Sequence, residues 1–155
     1  MKDCNFAEFT PVILAGGLGT RLRSVHPTLP KSMAQVCGRS FITFLFDKLL
    51  AAGFRDVVVC TGYGAVVLEN ALGAQYRELK LRYSQETSQL GTGGALRKAV
   101  SAVDTKYFMV FNGDSFANID LRKFIDSFLA AKTIAGLVVI ECDDVQRYGQ
   151  VRFGE

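Results

Sequence analysis

The chain has 155 residues, of which 49% are hydrophobic and 21% are charged. This length suffices for one domain with a buried core, and the composition excludes disordered and collagen-like proteins. The 18 basic and 15 acidic residues give a net charge of +3 and are mixed along the chain without a basic run, so nucleic acid is not an expected partner.

Short apolar runs alternate with helix-like stretches, which is the pattern of βαβ units around a buried parallel sheet. The predicted strands are Pro11 to Ala15, Asp56 to Cys60, Lys80 to Ser84, Tyr107 to Phe111 and Gly136 to Glu141. A helix is predicted from Ser40, as its N-cap, to Gly53, and another begins at Asp120. Shorter helices are expected after Gly64 and Gly93. These elements predict an α/β fold, a Rossmann-like three-layer sandwich with a mostly parallel sheet.

The cysteines and the amino terminus indicate the cellular location. Four cysteines lie far apart without a Cys-x-x-Cys pair, and with the single histidine, His26, they do not match a zinc site. We interpret them as reduced thiols. No apolar run reaches the about 18 residues of a membrane span, and Met1 to Thr10 lacks the apolar core of a signal peptide. We therefore expect a cytoplasmic protein without a membrane partner.

The segment Leu14-Ala15-Gly16-Gly17-Leu18-Gly19-Thr20-Arg21-Leu22 follows the first predicted strand. Ligands of open parallel sheets bind at the carboxyl ends of strands, and glycines there let backbone N–H groups approach phosphate oxygens. The segment therefore predicts a triphosphate-binding loop. A Walker A loop would need a Gly-Lys pair, which the chain lacks, and a dinucleotide fingerprint would need a glycine where Leu22 stands.

Together with Pro30-Lys31-Ser32-Met33, this loop resembles the signature of the sugar-1-phosphate nucleotidyltransferase family. Three further segments agree in order: Leu90 to Ala95, Asn112-Gly113-Asp114 and Arg147 to Val151. Within the family, the combination most resembles the D-glycero-D-manno-heptose 1-phosphate guanylyltransferases, followed by the mannose-1-phosphate guanylyltransferases. The resemblance implies a fold of the nucleotide-diphospho-sugar transferase type. It also implies transfer of GMP from GTP to a heptose or mannose type sugar 1-phosphate, with release of pyrophosphate, in nucleotide-sugar supply for cell-surface polysaccharide.

The resemblance implies catalytic roles for three charged residues. Arg21 would clamp the leaving phosphates, and Lys31 would act as a compact charge near the α-phosphate or the sugar phosphate. Asp114 would hold Mg²⁺, the expected cofactor, which takes oxygen ligands and bridges phosphates. The plainer interpretations are surface cations for Arg21 and Lys31 and an ordinary Asn-Gly-Asp turn for Asp114.

Nucleotide binding is assigned to Leu14, Ala15, Gly16, Gly17, Gly19, Thr20, Arg21, Glu86, Gly91, Thr92, Asn112 and Gly113. Glu86 can accept hydrogen bonds from guanine N–H groups and Gly91 lets the backbone approach the base, which favours guanine over uracil or thymine. An exposed loop acid is the alternative for Glu86, and with Gln85 adjacent, a register error of one residue would change the assignment. By resemblance, Tyr148 and Gly149 would contact the sugar, although a Tyr-Gly pair is also an ordinary turn.

The chain also departs from the family pattern. We expect it to be C-terminally short, residues 1–155 forming the N-terminal part of the domain, because the resemblance implies a later segment with a second metal-binding aspartate. Ser32 and Ser40 stand where prolines are common, which concerns loop stiffness more than chemistry. The alternatives are a non-catalytic nucleotide-binding domain, a uridylyl- or thymidylyltransferase of the same family, and a molybdopterin-guanine or CTP-using enzyme of related fold. An unfinished sheet edge makes a homodimer possible.

Overall fold

The computed structural model describes residues 6–17, 30–141 and 149–152 of the chain. The chain divides into two compact units, Met1–Ile119 and Asp120–Glu155. Among the described residues, all strands belong to the first unit and one α-helix belongs to the second. The candidate functional residues that the structure brings together are in the first unit.

The first unit contains seven short strands among the described residues. The strands are β1 (Phe9–Leu14), β2 (Gln35–Val36), β3 (Arg39–Ser40), β4 (Asp56–Thr61), β5 (Gln75–Tyr76), β6 (Leu79–Gln85) and β7 (Tyr107–Asn112). Five of them form one sheet in the order β5-β6-β4-β1-β7, while β2 and β3 form an antiparallel hairpin. Every pairing in the larger sheet is parallel except that of β5 with β6. This sheet confirms the predicted α/β fold with a mostly parallel sheet.

Four α-helices are present among the described residues, and two of them have an end that the sequence explains. The α-helices are α1 (Ile42–Ala52), α2 (Ala65–Leu72) and α3 (Gly91–Ala99) in the first unit and α4 (Leu121–Ala131) in the second. Helix α1 ends at Gly53, where a φ of 108° favours glycine. Helix α4 begins at Asp120, whose carboxylate accepts hydrogen bonds from the backbone N–H groups of Arg122 and Lys123, as predicted for its N-cap. Within the described part of the chain, no helix has the length and apolar character needed to cross a membrane.

Side chains bury both faces of the central strands. On one face, Val12 and Val58 form a buried cluster with Ala95 and Ala99 of α3. These small alanine side chains let the helix lie close to the sheet. On the other face, α2 is tied to the sheet because the Thr61 hydroxyl donates to a Glu69 carboxylate oxygen at 3.1 Å. Because both faces of the central strands are covered, most of their residues are apolar, and these strands form nearly continuous apolar runs in the sequence.

Three sequence predictions were wrong in detail. Ser40 lies in β3 and is not the N-cap of α1, which begins one residue later than predicted, at Ile42; Phe41 takes the N-cap position and makes no side-chain cap. Gly93 lies inside α3, which begins at Gly91. Residues 136–141 form no strand, and Leu137 and Ile140 are 73% and 77% exposed. An apolar β-branched run forms a strand only when it has another strand to pair with.

Candidate functional site

Three strand ends and one helix terminus meet around the main cavity of the first unit. In the sheet register, Leu14 at the end of β1 lies opposite Cys60 of β4 on one side and Asn112 of β7 on the other. The carboxyl ends of these strands are therefore level, and the segments that follow them converge. The cavity at this edge has a volume of about 510 Å³ and is also lined by Gly91 and Thr92 from the first turn of α3. This edge is where open parallel sheets bind ligands.

Glycines let the segments after the strands pack closely together. The Gly113 N–H donates to the Leu14 carbonyl at 2.8 Å, and a Cβ at Gly113 would lie only 2.8 Å from that oxygen. A Cβ at Gly16 would lie 3.2 Å from the Gly62 nitrogen and 3.3 Å from Glu86 Oε1. Gly17 differs, because a Cβ there would meet nothing within 4 Å. Gly16 and Gly113 therefore serve backbone packing, while Gly17 lies beside open space.

Lys31 and Asp114 form an ion pair in the wall of the cavity. Lys31 Nζ donates to Asp114 Oδ2 at 2.6 Å, although the two residues are 83 positions apart in the sequence. The Ser115 hydroxyl donates to the other carboxylate oxygen at 3.1 Å. The hydrogen bond from Lys31 lowers the pKa of Asp114, against the opposing effect of burial. Asp114 is therefore an ionised oxygen donor at neutral pH, next to a cation.

The support of Lys31 comes from Pro30. Lys31 begins a short 3-10 helix, Lys31–Met33, in which the Met33 N–H donates to the Pro30 carbonyl at 2.8 Å. Pro30 itself is buried, and a Cβ at Gly64 would lie 2.8 Å from the Pro30 ring. Gly64 also has a φ of 68°, which favours glycine. The turn at the start of α2 therefore packs against Pro30 and positions the segment that carries Lys31.

Glu86 lies in another part of the cavity wall, at the start of the loop between β6 and α3. Its backbone N–H donates to the Thr61 carbonyl at 2.7 Å, and its Oε2 accepts from the Leu90 N–H at 3.0 Å. This second bond closes the loop before the first turn of α3. Glu86 lines the cavity and the adjacent Gln85 does not.

Cys60 also lines the cavity, but its thiol is not a nucleophile at neutral pH. Burial, followed by the nearby charge of Glu86, raises the pKa of Cys60 to about 11. Thiols react as thiolates, so a thiol with this pKa is largely inert. The chemistry that the cavity can support is instead electrostatic: a lysine, two carboxylates and the positive end of a helix surround a space of nucleotide size.

Most of the predicted site residues lie together. Leu14, Ala15, Gly16, Gly17, Lys31, Glu86, Gly91, Thr92, Asn112, Gly113 and Asp114 all line the cavity. Gly19, Thr20, Arg21 and Tyr148 lie outside the described residues. Gly149 is an exposed residue of the second unit.

The cavity also contains residues that sequence reasoning did not assign to it, namely Ser32, Cys60, Gln89 and Ala95. The position of Gln89 between Glu86 and Gly91 was a usable signal, because both neighbours were already assigned to the base. Ser32 and Ala95 lie in segments that carry the family resemblance, which is a weaker signal of the same kind, whereas Cys60 gives none. A small residue near a strand end or a helix start can face either a cavity or the core. Which of the two it faces depends on tertiary packing, and the local sequence pattern does not predict it.

Comparisons with known proteins agree on one family. A family model described as "Nucleotidyl transferase" matches residues 10–155 of the chain. A D-glycero-alpha-D-manno-heptose 1-phosphate guanylyltransferase from Aneurinibacillus thermoaerophilus is 36% identical over 140 residues, which are 90% of this chain and 61% of that protein. A UTP–glucose-1-phosphate uridylyltransferase from Haloferax volcanii is 31% identical over 140 residues, which are 89% of this chain and 57% of that protein.

The fold has solved counterparts. The crystal structure of HddC from Yersinia pseudotuberculosis complexed with GMP-PN matches with a TM-score of 0.71 and 36% identity, covering 77% of this chain and 54% of that chain. The chain spans between about two fifths and about three fifths of the length of the curated relatives that it matches.

Proposed function

Because the chain belongs to the nucleotidyl transferase family, we propose that its cavity binds GTP and a sugar 1-phosphate of heptose or mannose type. The reaction joins GMP to the sugar phosphate and releases pyrophosphate, which supplies a nucleotide sugar for cell-surface polysaccharide. The observation that carries this proposal is the pairing of Lys31 with Asp114 at 2.6 Å in the cavity that Gly17 and Glu86 also line.

The proposed reaction is an in-line displacement at phosphorus. An oxygen of the sugar phosphate attacks the α-phosphorus of GTP, and the bond from that phosphorus to the oxygen bridging the β-phosphate breaks. Pyrophosphate leaves with the bridging oxygen. Because such reactions need mainly positioning and charge neutralisation from the protein, Lys31 would neutralise charge at the reacting phosphates. Arg21 would bind the leaving phosphates, as the family resemblance implies.

Mg²⁺ is the proposed cofactor, and Asp114 would hold it. The donor fits, because Mg²⁺ prefers oxygen ligands and the lowered pKa of Asp114 keeps its carboxylate ionised. Among the described residues, no group of three His, Cys, Asp or Glu side chains could hold a metal. Phosphate oxygens of the bound substrates would supply further ligands, and the family resemblance implies a second aspartate in a later segment. When bound, Mg²⁺ would neutralise charge on the phosphates. Lys31 already neutralises Asp114 in the protein alone, and phosphates would then draw its ammonium away.

Base selection is proposed for Glu86. One of its carboxylate oxygens accepts from the Leu90 N–H, and a carboxylate can also accept from the two adjacent N–H groups of guanine. Uracil and thymine offer one such donor, so the site favours GTP. UTP is the alternative nucleotide, because one of the relatives is a uridylyltransferase.

Two further parts of the proposal concern the setting of the enzyme. The described thiols of Cys37 and Cys60 are unpaired, which fits the cytoplasmic location that we propose. A homodimer would use the outer edge of β7, which pairs with one strand, β1, among the residues that the structure describes and carries the exposed side chains of Phe108 and Val110.

The proposal is tested by incubating the chain with Mg²⁺, each common nucleoside triphosphate in turn, and a mixture of mannose and heptose 1-phosphates while pyrophosphate is measured. We expect release with GTP and none when the sugar phosphates are omitted. Release with UTP alone would reassign the base. Binding of GTP without any release would contradict turnover and identify a nucleotide-binding domain.

A further inference from the structure

Ser32 has a buried hydroxyl without a hydrogen-bond partner among the residues that the structure describes. The residue is 3% exposed. Polar groups that lose water on folding and gain no partner cost free energy, and native proteins contain few of them. The hydroxyl of Thr10 shows the usual arrangement: the residue is equally buried, and its Oγ1 lies 2.8 Å from the Thr105 hydroxyl.

The position of Ser32 indicates what could become its partner. It follows Lys31 directly and lines the same cavity. The backbone around it is held on both sides, because the Met33 N–H donates to the Pro30 carbonyl at 2.8 Å and the Ala34 N–H donates to the Lys31 carbonyl at 3.1 Å. Only rotation about χ1 is needed to move the hydroxyl among its three staggered positions.

We propose that Ser32 is a phosphate-binding residue whose hydroxyl donates a hydrogen bond to a phosphate oxygen of the bound substrate. The inference rests on the proposed function, which puts phosphates beside Lys31. A hydroxyl donor in a cavity that also contains an ammonium group suits an anionic acceptor, and hydrogen bonds to ionised oxygens are stronger than those between neutral groups. The acceptor is a phosphate oxygen of either the triphosphate or the sugar 1-phosphate, because both present the same chemistry. In the free protein, the Ser32 hydroxyl without a partner lowers the stability of the fold, and substrate binding would remove this cost.

The test uses Ser32→Ala and two measurements, of stability and of substrate affinity, of which only the affinity should fall. Removing a buried hydroxyl without a partner should leave the thermal midpoint unchanged or raise it. The same change should weaken binding about tenfold, the usual size of a lost hydrogen bond to a charged group. Calorimetric titration with GTP and, separately, with mannose 1-phosphate shows which phosphate Ser32 contacts, since only that affinity falls.

Thr10→Val is the matched control, because it removes a buried hydroxyl of β1 that has a partner, Thr105, and that does not line the strand-end cavity. Its thermal midpoint should fall and both affinities should stay at the parent values. If Ser32→Ala behaves like this control, with a lower midpoint and unchanged affinities, Ser32 has a structural role and the inference is wrong. If the parent chain itself binds neither GTP nor mannose 1-phosphate, the proposed function fails first, and the inference fails with it.

Discussion

Lys31 and Asp114 neutralise each other in the protein alone, and this has a consequence for the titration of the carboxylate. The hydrogen bond from Lys31 is the largest cause of the lowered pKa of Asp114. A carboxyl group with a lowered pKa stabilises the fold above its ordinary pKa, and that contribution is lost as the pH falls through the lowered value. Both side chains are partly exposed, at 52% for Lys31 and 37% for Asp114, so solvent screens the pair.

In Lys31→Ala, the pKa of Asp114 should therefore rise towards the ordinary aspartate value, because its main hydrogen-bond donor is gone. Carbon NMR titration of the Asp114 carboxyl measures this shift. Pyrophosphate release should fall about a hundredfold or more, the usual effect of losing a preorganised charge, while the far-UV spectrum stays that of the parent. An Asp114 pKa that does not move would contradict the ion pair, and undiminished turnover would remove Lys31 from the reaction.

At the scale of elements, the glycines that follow β1 and β7 have two different roles. Some allow close backbone packing, and others leave space for a ligand to approach the backbone. An added methyl group at Gly113 would lie 2.8 Å from the Leu14 carbonyl oxygen, whereas one at Gly17 would meet nothing within 4 Å. Gly113→Ala should therefore destabilise the fold by about 1–3 kcal/mol, the usual cost of overpacking. Gly17→Ala should leave stability within about 0.5 kcal/mol of the parent and weaken GTP binding by placing a methyl group where phosphates approach. Urea unfolding and GTP titration of both variants separate the two roles, and equal stability losses would contradict the distinction.

The long elements of the sheet could be predicted from sequence, whereas the short ones could not. Buried parallel strands such as β1 and β4 appear in the sequence as apolar runs because both of their faces are covered. The strands β2, β3 and β5 are each two residues long. They are recognised by their hydrogen bonds to a neighbouring strand, and two residues are too few to give a composition pattern that predicts a strand. The same reason explains the error at residues 136–141, where an apolar run has strand composition and forms no strand.

At the scale of the whole molecule, the site follows from the topology of the sheet. Parallel strands bring their carboxyl ends to one edge, so motifs that are distant in sequence, such as the glycine loop after Leu14 and the Asn112 to Asp114 turn, converge. That convergence could be predicted once each motif was placed after a strand. The burial of Ser32 and the direct contact of Lys31 with Asp114 could not, because they depend on how Pro30 packs on Gly64.

The central claim is that the cavity at the carboxyl ends of the strands binds the triphosphate, and amide chemical-shift mapping tests it most directly. On titration with GTP and Mg²⁺, the account predicts that the largest shifts occur at Gly17, Glu86, Gly91 and Asp114. A smaller cavity of about 300 Å³ lies near the amino ends of β1 and β4, lined by residues that include Phe6, Phe54 and Arg82. Shifts confined to that cavity, with the strand-end residues unchanged, would contradict the account.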